Sequence, residues 1–450
     1  MADKLLVRGY KVGVGDCIYV RIPNGADGFH MLIDCGTIGS ITLLEKAVRH
    51  IKENLLPDST IPGNKRLDLL VATHRHKDHI KGFDPKFFTN IQIKNIWLSA
   101  VMNPEHQQSA QTLALHEMAT KKMRSLDALN LSLSPQLQQL MSMFSLDNDD
   151  AIRALREQIP DENHISPEYV HAGMESNDLN LQLDDATIKV LAPENDIDGF
   201  YLGKEFDESL KGFQNGTAFF DNHSISDGID HPENISLSDF LRLKSRMLSN
   251  EFAFAETDSS LQNNCSVVLL ISWRGRRLLF TGDAEWERAY EDGKHNGSWN
   301  VMWKMRHDDL DGKLDFIKIG HHGSQNATPW IDGGNQKLEV NQIFNAILPL
   351  SDGLSQCIAQ AIISTERTNV YETIPSPDLL VELGKRVKNT RDYYSALAAI
   401  DQDFYKKEPF KDLWNYERED MLKVQQPYRT DLENMISGKG YVDVEIESVD

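Results

Sequence analysis

Long apolar runs are missing from this sequence of 450 residues. None approaches the roughly 20 residues that a membrane-spanning helix needs, so no helical span and no membrane partner is expected. Cysteine is scarce too. Cys17, Cys35, Cys265 and Cys357 lie far apart and form no CxxC pair, which predicts buried free thiols rather than disulfides or a zinc knuckle. Positive charge is short: the formal net charge is −21. That balance disfavours tight, sequence-independent binding along a nucleic-acid backbone, where each neutralised phosphate needs a Lys or Arg. A local basic groove stays compatible with it. The opening stretch "MADKLLVRGYKVGVGD" carries no signal-peptide h-region, and a cytoplasmic protein is expected. No GK[ST] follows Gly13 and Gly15, so these glycines are read as shaping a turn rather than a phosphate loop. Internal repeats and low-complexity tracts are absent as well.

What remains is an ordinary globular composition, 40% hydrophobic and 26% charged, in a chain longer than one core usually takes. One large domain with insertions, or two domains, is expected. "LLVRGYKVGVGDCIYVRI" reads as two strands broken at the glycines, and "FHMLIDCGT" as a third ending at Asp34. A helix follows in "SITLLEKAVRHIKENL" with Ser40 as its N-cap. "LDLLVAT" is continuously apolar, as a strand buried on both faces is. Similar segments recur in "NNCSVVLLISW", "RRLLFTGDAEWERAYEDG" and "LDFIKIGHHGS", which predicts layered α/β architecture with sheets covered by helices. Two regions differ in character. Residues 104–166, rich in Gln, Met, Leu and Ala at helical spacing, read as a helical insertion whose apolar stripes serve packing. Residues 195–262, rich in Asp, Asn and Ser, read as a loop-rich insertion with a short helix at "SLSDFLRLKSRMLS". An acidic segment follows residue 390 and ends in the alternating, strand-like "YVDVEIE".

The chemistry concentrates in "VATHRHKDHI", where His74, His76, Asp78 and His79 follow an apolar strand. Side chains at i and i+2 of extended chain project to one side, so His74 and His76 can reach one ion. If the chain then turns, Asp78 and His79 can face a second. Zinc usually takes four ligands and paired ions share some, so more are needed. "RRLLFTGDAE" places Asp283 behind Gly282 just past a strand, where its carboxylate could bridge two cations. "LDFIKIGHHGS" places His321 and His322 past another. His106, His116, His164, His171, His223 and His231 lie in the insertions or outside these motifs and are not expected to be ligands.

The ordered set "VGVGDC", "LIDCGT", "THRHKDH", "NNCSVVLL", "FTGDAE" and "IKIGHHGS" resembles the metallo-β-lactamase fold, in the branch similar to the nuclease-like domain of the competence protein ComEC. "AIISTERTNVYETIPSPDLLVEL" is similar to that branch's closing strand and helix. The resemblance covers residues 5–100, 167–193 and 262–388. It implies an αββα sandwich over residues 1–390, carrying the helical and loop-rich insertions, with residues 391–450 as an acidic C-terminal extension. It also implies that His74 and His76 bind one metal, Asp78 and His79 a second, and that Asp283 bridges them. Of the last pair His322 fits the family's strand-Gly-His ending, with His321 as a supporting or alternative ligand. Many members of the wider fold carry a further histidine where this chain has "LQNNCS"; the ComEC-like branch commonly has asparagine there. Asn263 or Asn264 would then orient substrate, and water or substrate would fill the first metal's open position.

The function implied is a hydrolase holding two divalent ions, Zn or Mn, with a metal-activated water as nucleophile. Asp78, Asp283 or His322 would position that water or take its proton. Asp34 would brace the metal loop by hydrogen bonding. Ser324, following a glycine in a loop, would cap the next turn or bond a ligand. A phosphodiester in nucleic acid or a nucleotide is the implied substrate; a lactone, ester or amide on the same metal pair is the alternative. A third reading is a module bound to a protein partner or to itself through the helical insertion and C-terminal extension. There Phe404, Tyr405, Phe410, Trp414 and Tyr416 are interspersed with charges, as at an interface.

Overall fold

The computed structural model describes residues 4–108, 116, 119–120, 147–203, 256–287, 289–331, 338–350, 357–368, 370–371, 373–406 and 424–449. Their strands form two large mixed sheets. One has seven strands: β1 (Leu5–Tyr10), β2 (Cys17–Ile22), β3 (Phe29–Cys35), β4 (Leu69–Ala72), β5 (Ile96–Ser99), β6 (Glu168–Val170) and, at the edge beside β1, the last strand of the chain. The other has six strands, in the order Tyr428–Arg429, Gln360–Ile363, Phe316–Ile319, Arg276–Phe280, Val268–Trp273 and Ala186–Ala192. In chain order these are β7 (Ala186–Ala192), β8 (Val268–Trp273), β9 (Arg276–Phe280), β10 (Phe316–Ile319), β11 (Gln360–Ile363) and β12 (Tyr428–Arg429), and the final strand is β13 (Tyr441–Ile446).

Alternation along each strand sorts its side chains between two faces. Leu5, Val7, Ile18, Val20, Leu69 and Val71 meet Leu269, Ile271, Leu278, Phe280, Phe316 and Ile362 in the core between the sheets. The intervening Leu6, Tyr19, Leu32 and Leu70 face outward and are covered by Leu44, Ala47, Val48 and Ile51 of α1 (Ile41–Asn54). On the far side Leu270, Leu279, Ile317 and Ile363 are covered by α2 (Ser298–Met305), α3 (Glu339–Ile347) and α4 (Pro377–Gly384). The result is four layers, helix, sheet, sheet, helix, as the motif series implies. Ser40 caps α1, its hydroxyl accepting from the Thr42 N–H at 3.3 Å. All four cysteines are buried thiols that take part in no disulfide.

The described part of the helical insertion is helical from Asp147 to Asn163, with one wider turn at Ala154–Gln158, and Ile152, Leu155 and Ile159 pack into the α1 side of the core. Most of residues 109–146, and residues 204–255 with the short helix read there, lie outside the described residues.

The chain beyond residue 390 completes both sheets. β13 pairs antiparallel with the whole of β1, from Leu5 opposite Ile446 to Tyr10 opposite Tyr441. Its alternating burial puts Val442, Val444 and Ile446 into the core between the sheets. β12 adds in parallel to β11. Arg8 of β1 closes a bidentate ion pair on Asp443, its Nε 2.5 Å from Oδ1. Phe404, read from the sequence as an interface anchor, is instead buried against Tyr393, Leu397 and Leu432. The reason is local: two short helical segments fold back there and need an apolar plug. Phe410, Trp414 and Tyr416 lie outside the described residues.

Because β13 supplies buried aliphatic side chains to the central core, Val444→Asp should lower stability by at least about 2 kcal/mol, the lost burial plus the cost of an unpaired polar group. Urea unfolding reads this directly. An unchanged midpoint would mean that the strand is dispensable to the sandwich.

Candidate metal centre

Every candidate ligand sits where a strand of the sandwich ends. β4 stops at Ala72, and Thr73 to His76 lead through a bend at Arg75 into a short helical turn, Lys77–Ile80. The backbone of this turn is gripped from below. Asp16 N–H donates to the Asp78 carbonyl at 2.9 Å, and Gly36 lies so close that a Cβ there would stand 2.2 Å from the His79 nitrogen. Only glycine allows that approach. β9 delivers Asp283 through Gly282 (φ 51°), whose missing side chain leaves room for Ser266; the Ser266 hydroxyl accepts from Asp283 N–H at 3.1 Å. β10 delivers His321 and His322, both in the left-handed region at φ 42° and 55°. Two successive non-glycine residues there cost of order 1–3 kcal/mol each, and such strain persists only where surrounding contacts over-determine it. Here those contacts are His321 N–H on Asp283 Oδ1 at 2.8 Å and His322 Nδ1 on the Ser364 carbonyl at 3.0 Å.

The side chains brought together are Asp78, His79, Asp283 and His322, all buried, with one potential ligand atom from each within 4.8 Å of all the others. His79 Nε2 lies 3.1 Å from Asp283 Oδ2, and His322 Nε2 lies 2.9 Å from Asp78 Oδ2. His74 Nε2 lies 3.8 Å from the same Asp283 Oδ2 and 3.1 Å from His76 Nδ1. Asp283 Oδ2 therefore stands between two sets of imidazole nitrogens.

Hydrogen-bond accounting fixes which nitrogens carry lone pairs. The Thr73 hydroxyl donates to Asp34 Oδ2 at 2.7 Å, so it can only accept from His74 Nδ1 at 3.1 Å. That leaves a lone pair on His74 Nε2. His79 Nδ1 is held by Asp34 Oδ2 at 2.7 Å, and His322 Nδ1 by a carbonyl, which can only accept. Nε2 of each then faces a carboxylate oxygen, and such a pair is stable only with a proton or a metal cation between. His76 Nε2 and Asp78 Oδ1 are buried with no hydrogen-bond partner among the described residues. This donor set, imidazole nitrogens and carboxylate oxygens at convergent positions, fits a divalent cation.

The electrostatics agree. Burial, with His79 and His76 nearby, holds the His74 imidazole well below its usual range, and burial brings His76 down to about 4. Burial also works to lower His79, but Asp283 and Asp34 outweigh it and hold its value well above 6.5. His322 is likewise raised above 6.5, burial being overcome by the hydrogen bond to Asp78. Burial opposes ionisation of Asp78 and Asp283, yet the first is depressed by His322 and the second by His79. Asp34 is pushed up by burial despite His79 beside it.

The remaining candidates sort clearly. Asp34 braces the loop through both carboxylate oxygens, on Thr73 and His79. His321 stands apart from the cluster, its Nδ1 3.9 Å from Glu285. Asn263 and Asn264 both donate to Glu285, and Ser324 donates to Asn326. His106 bonds Asn195 and His116 bonds Asp258, while His223 and His231 lie outside the described residues. Sequence reasoning missed Glu285 and the buried pair Lys318–Asp16, Nζ to Oδ2 at 2.7 Å. The signal for Lys318 was a charge inside the apolar strand "FIKI" at a position facing the other sheet.

No protein-family model and no curated protein matches the chain. Among solved structures the chain is similar to the metallo-beta-lactamase fold protein YhfI from Bacillus subtilis, at 9% identity, with 70% of each chain covered and a TM-score of 0.27. It is also similar to a protein of unknown function from Enterococcus faecalis V583, at 10% identity and a TM-score of 0.28, covering 70% of this chain and 49% of that one. The architecture rests on the four layers described above.

With His79 and His322 raised above 6.5, their protonated forms stabilise the metal-free chain fully below that pH, and the contribution fades as pH rises through the raised values. A cation must expel those protons, so its affinity should increase with pH near neutrality and uptake should release roughly one to two protons. Calorimetry in two buffers of different ionisation heat measures the count. Proton-neutral uptake with pH-independent affinity would contradict this arrangement.

Proposed function

We propose that the chain is a metal-dependent hydrolase that holds two divalent ions, zinc or manganese, and cleaves a phosphodiester in nucleic acid or a nucleotide. The observation that carries the two-ion reading is the position of Asp283 Oδ2, 3.1 Å from His79 Nε2 and 3.8 Å from His74 Nε2. Paired ions clamp both the attacking and the leaving oxygen of a displacement, and a shared carboxylate is how a protein holds them together. His74 and His76 would hold one ion; Asp78, His79 and His322 the other. When bound, such ions polarise the scissile group and make a water acidic enough to attack near neutral pH.

The chain's own groups then have defined tasks. Asp34 keeps His79 in one tautomer, and the Ser364 carbonyl does the same for His322. Asp78 Oδ1, buried and unpartnered, is free to accept a hydrogen bond from the attacking water and to take its proton. His322 is favoured over His321 as a ligand because its Nε2 faces Asp78, whereas His321 gives its backbone N–H to Asp283. The phosphodiester preference rests on the motif resemblance. The net charge of −21 favours small or locally gripped substrates over long duplexes.

Asp283→Asn keeps the shape and removes the bridging charge, so turnover should fall by at least about 1,000-fold, an electrostatic loss of roughly 4 kcal/mol, while far-UV circular dichroism still shows the fold of the parent. Bis-p-nitrophenyl phosphate, single-stranded DNA, RNA, cyclic nucleotides and a lactone, assayed in parallel, identify the substrate class. Turnover of the lactone alone would replace the phosphodiesterase reading with the carboxylic-ester one.

A further inference from the structure

Glu285, two residues past Asp283, is buried, and its carboxylate is met by neutral donors, with His321 Nδ1 3.9 Å away. Its Oε1 accepts from Asn263 Nδ2 and Asn326 Nδ2, each at 2.8 Å. Its Oε2 accepts from the Ser260 hydroxyl at 2.6 Å and from Asn264 Nδ2 at 3.4 Å. A carboxylate only accepts, so each asparagine must turn its NH2 toward Glu285 and its carbonyl oxygen away. Two of those oxygens are then consumed. Asn264 Oδ1 accepts from the backbone N–H groups of Ser298 (2.8 Å) and Glu285 (3.2 Å), and Asn326 Oδ1 accepts from the Ser324 hydroxyl. The third, Asn263 Oδ1, is buried with no partner among the described residues, on a side chain that is 2% exposed.

An acceptor orphaned at such depth is unfavourable unless something occupies it. Its place in the fold indicates what. The turn that begins at Asn263, whose carbonyl accepts from Ser266 N–H, continues through Ser266, which holds Asp283 N–H. Val267 N–H then bonds the Thr73 carbonyl, directly before His74. Asn263 thus opens the turn that clamps the two chain segments carrying His74 and Asp283. His76, whose Nδ1 lies 3.1 Å from His74 Nε2, stands two residues beyond that clamped segment's His74.

We infer that Asn263 Oδ1 is the oxygen ligand that completes the position of the ion held by His74 and His76, and that Glu285 is the positioning residue that keeps this oxygen, rather than the NH2, turned toward it. Asn264 is structural. The inference rests on the two-ion reading above and goes beyond it by assigning a ligand and its orienting group. It also carries a metal preference, because an amide oxygen in place of a third imidazole moves the position toward oxygen-favouring ions such as manganese.

Titration of the metal-free chain with Co2+, following visible absorption and calorimetry, tests it without any substrate. Wild type should take up two ions. Asn263→Ala should weaken one of them and change its absorption bands while sparing the other. Glu285→Gln, which has the same shape but lets the amide turn either way, should weaken that same ion by about 10- to 100-fold, the usual effect of losing an orienting partner. Asp78→Ala should weaken the other ion instead. Two ions bound with wild-type affinity and spectrum in both Asn263→Ala and Glu285→Gln would overturn the inference. Should Asn263→Ala not fold, unchanged binding in Glu285→Gln overturns it alone. A wild type that binds no ion would instead overturn the two-ion reading on which the inference stands.

Discussion

Four carboxylates, Asp16, Asp34, Asp78 and Asp283, are buried at one rim of the sandwich, none more than 3% exposed. Charge taken out of water costs several kilocalories per mole for each ion unless it is paired and hydrogen-bonded. The surrounding architecture meets that demand. Lys318 reaches between the sheets to Asp16, two imidazoles stand on Asp283 and Asp78, and Thr73 supplies two hydrogens to Asp34. The glycine approach at Gly36 and the left-handed turns at His321 and His322 exist to bring these groups within reach. Their strain is repaid only by the contacts they make.

The scaffold that bears this strain is a sandwich closed by its last strand. β1 has β2 on one side and β13 on the other, so the loop from Val12 to Asp16, which supports Asp78, hangs from a strand paired on both edges. A strand left with an open edge presents unpaired backbone groups and twists more freely. The candidate metal-binding rim therefore leans on a pairing between residues 435 positions apart in sequence, Arg8 and Asp443 among them, a non-local constraint of the kind the α/β order imposes.

Much of this was legible from the sequence. Apolar runs ending in His or Asp announced strands that bring His and Asp side chains together at their ends, and period-two alternation in "YVDVEIE" announced a half-buried strand. Asp34 was legible as a brace because it ends a strand beside the histidine loop. What pairs with a strand was not legible: nothing in "YVDVEIE" says that its neighbour is β1. The role of Phe404 was misread for the same reason, since an aromatic among charges looks alike at an interface and over a small local core. Glu285 was hidden because its partners, Ser260, Asn263, Asn264 and Asn326, come from two segments that only the fold brings together.

The same charge inventory bears on how an acidic chain could act on an anionic substrate. Without a cation, the buried carboxylates outnumber Lys318, and His79 and His322 must hold protons to compensate. The rim then offers a phosphate little attraction. On the two-ion reading, a pair of dications outweighs the remaining negative charge, and the local field reverses sign although the net charge of the whole chain stays strongly negative. On that reading attraction acts only close to the ions, because exposed charges farther away than about 8–10 Å are screened at physiological salt. On that reading an acidic chain and a cation-loaded site are compatible, and together they would favour a phosphodiester gripped at one point over a duplex gripped along its length. The same reading sets an order of assembly, cations first and substrate second.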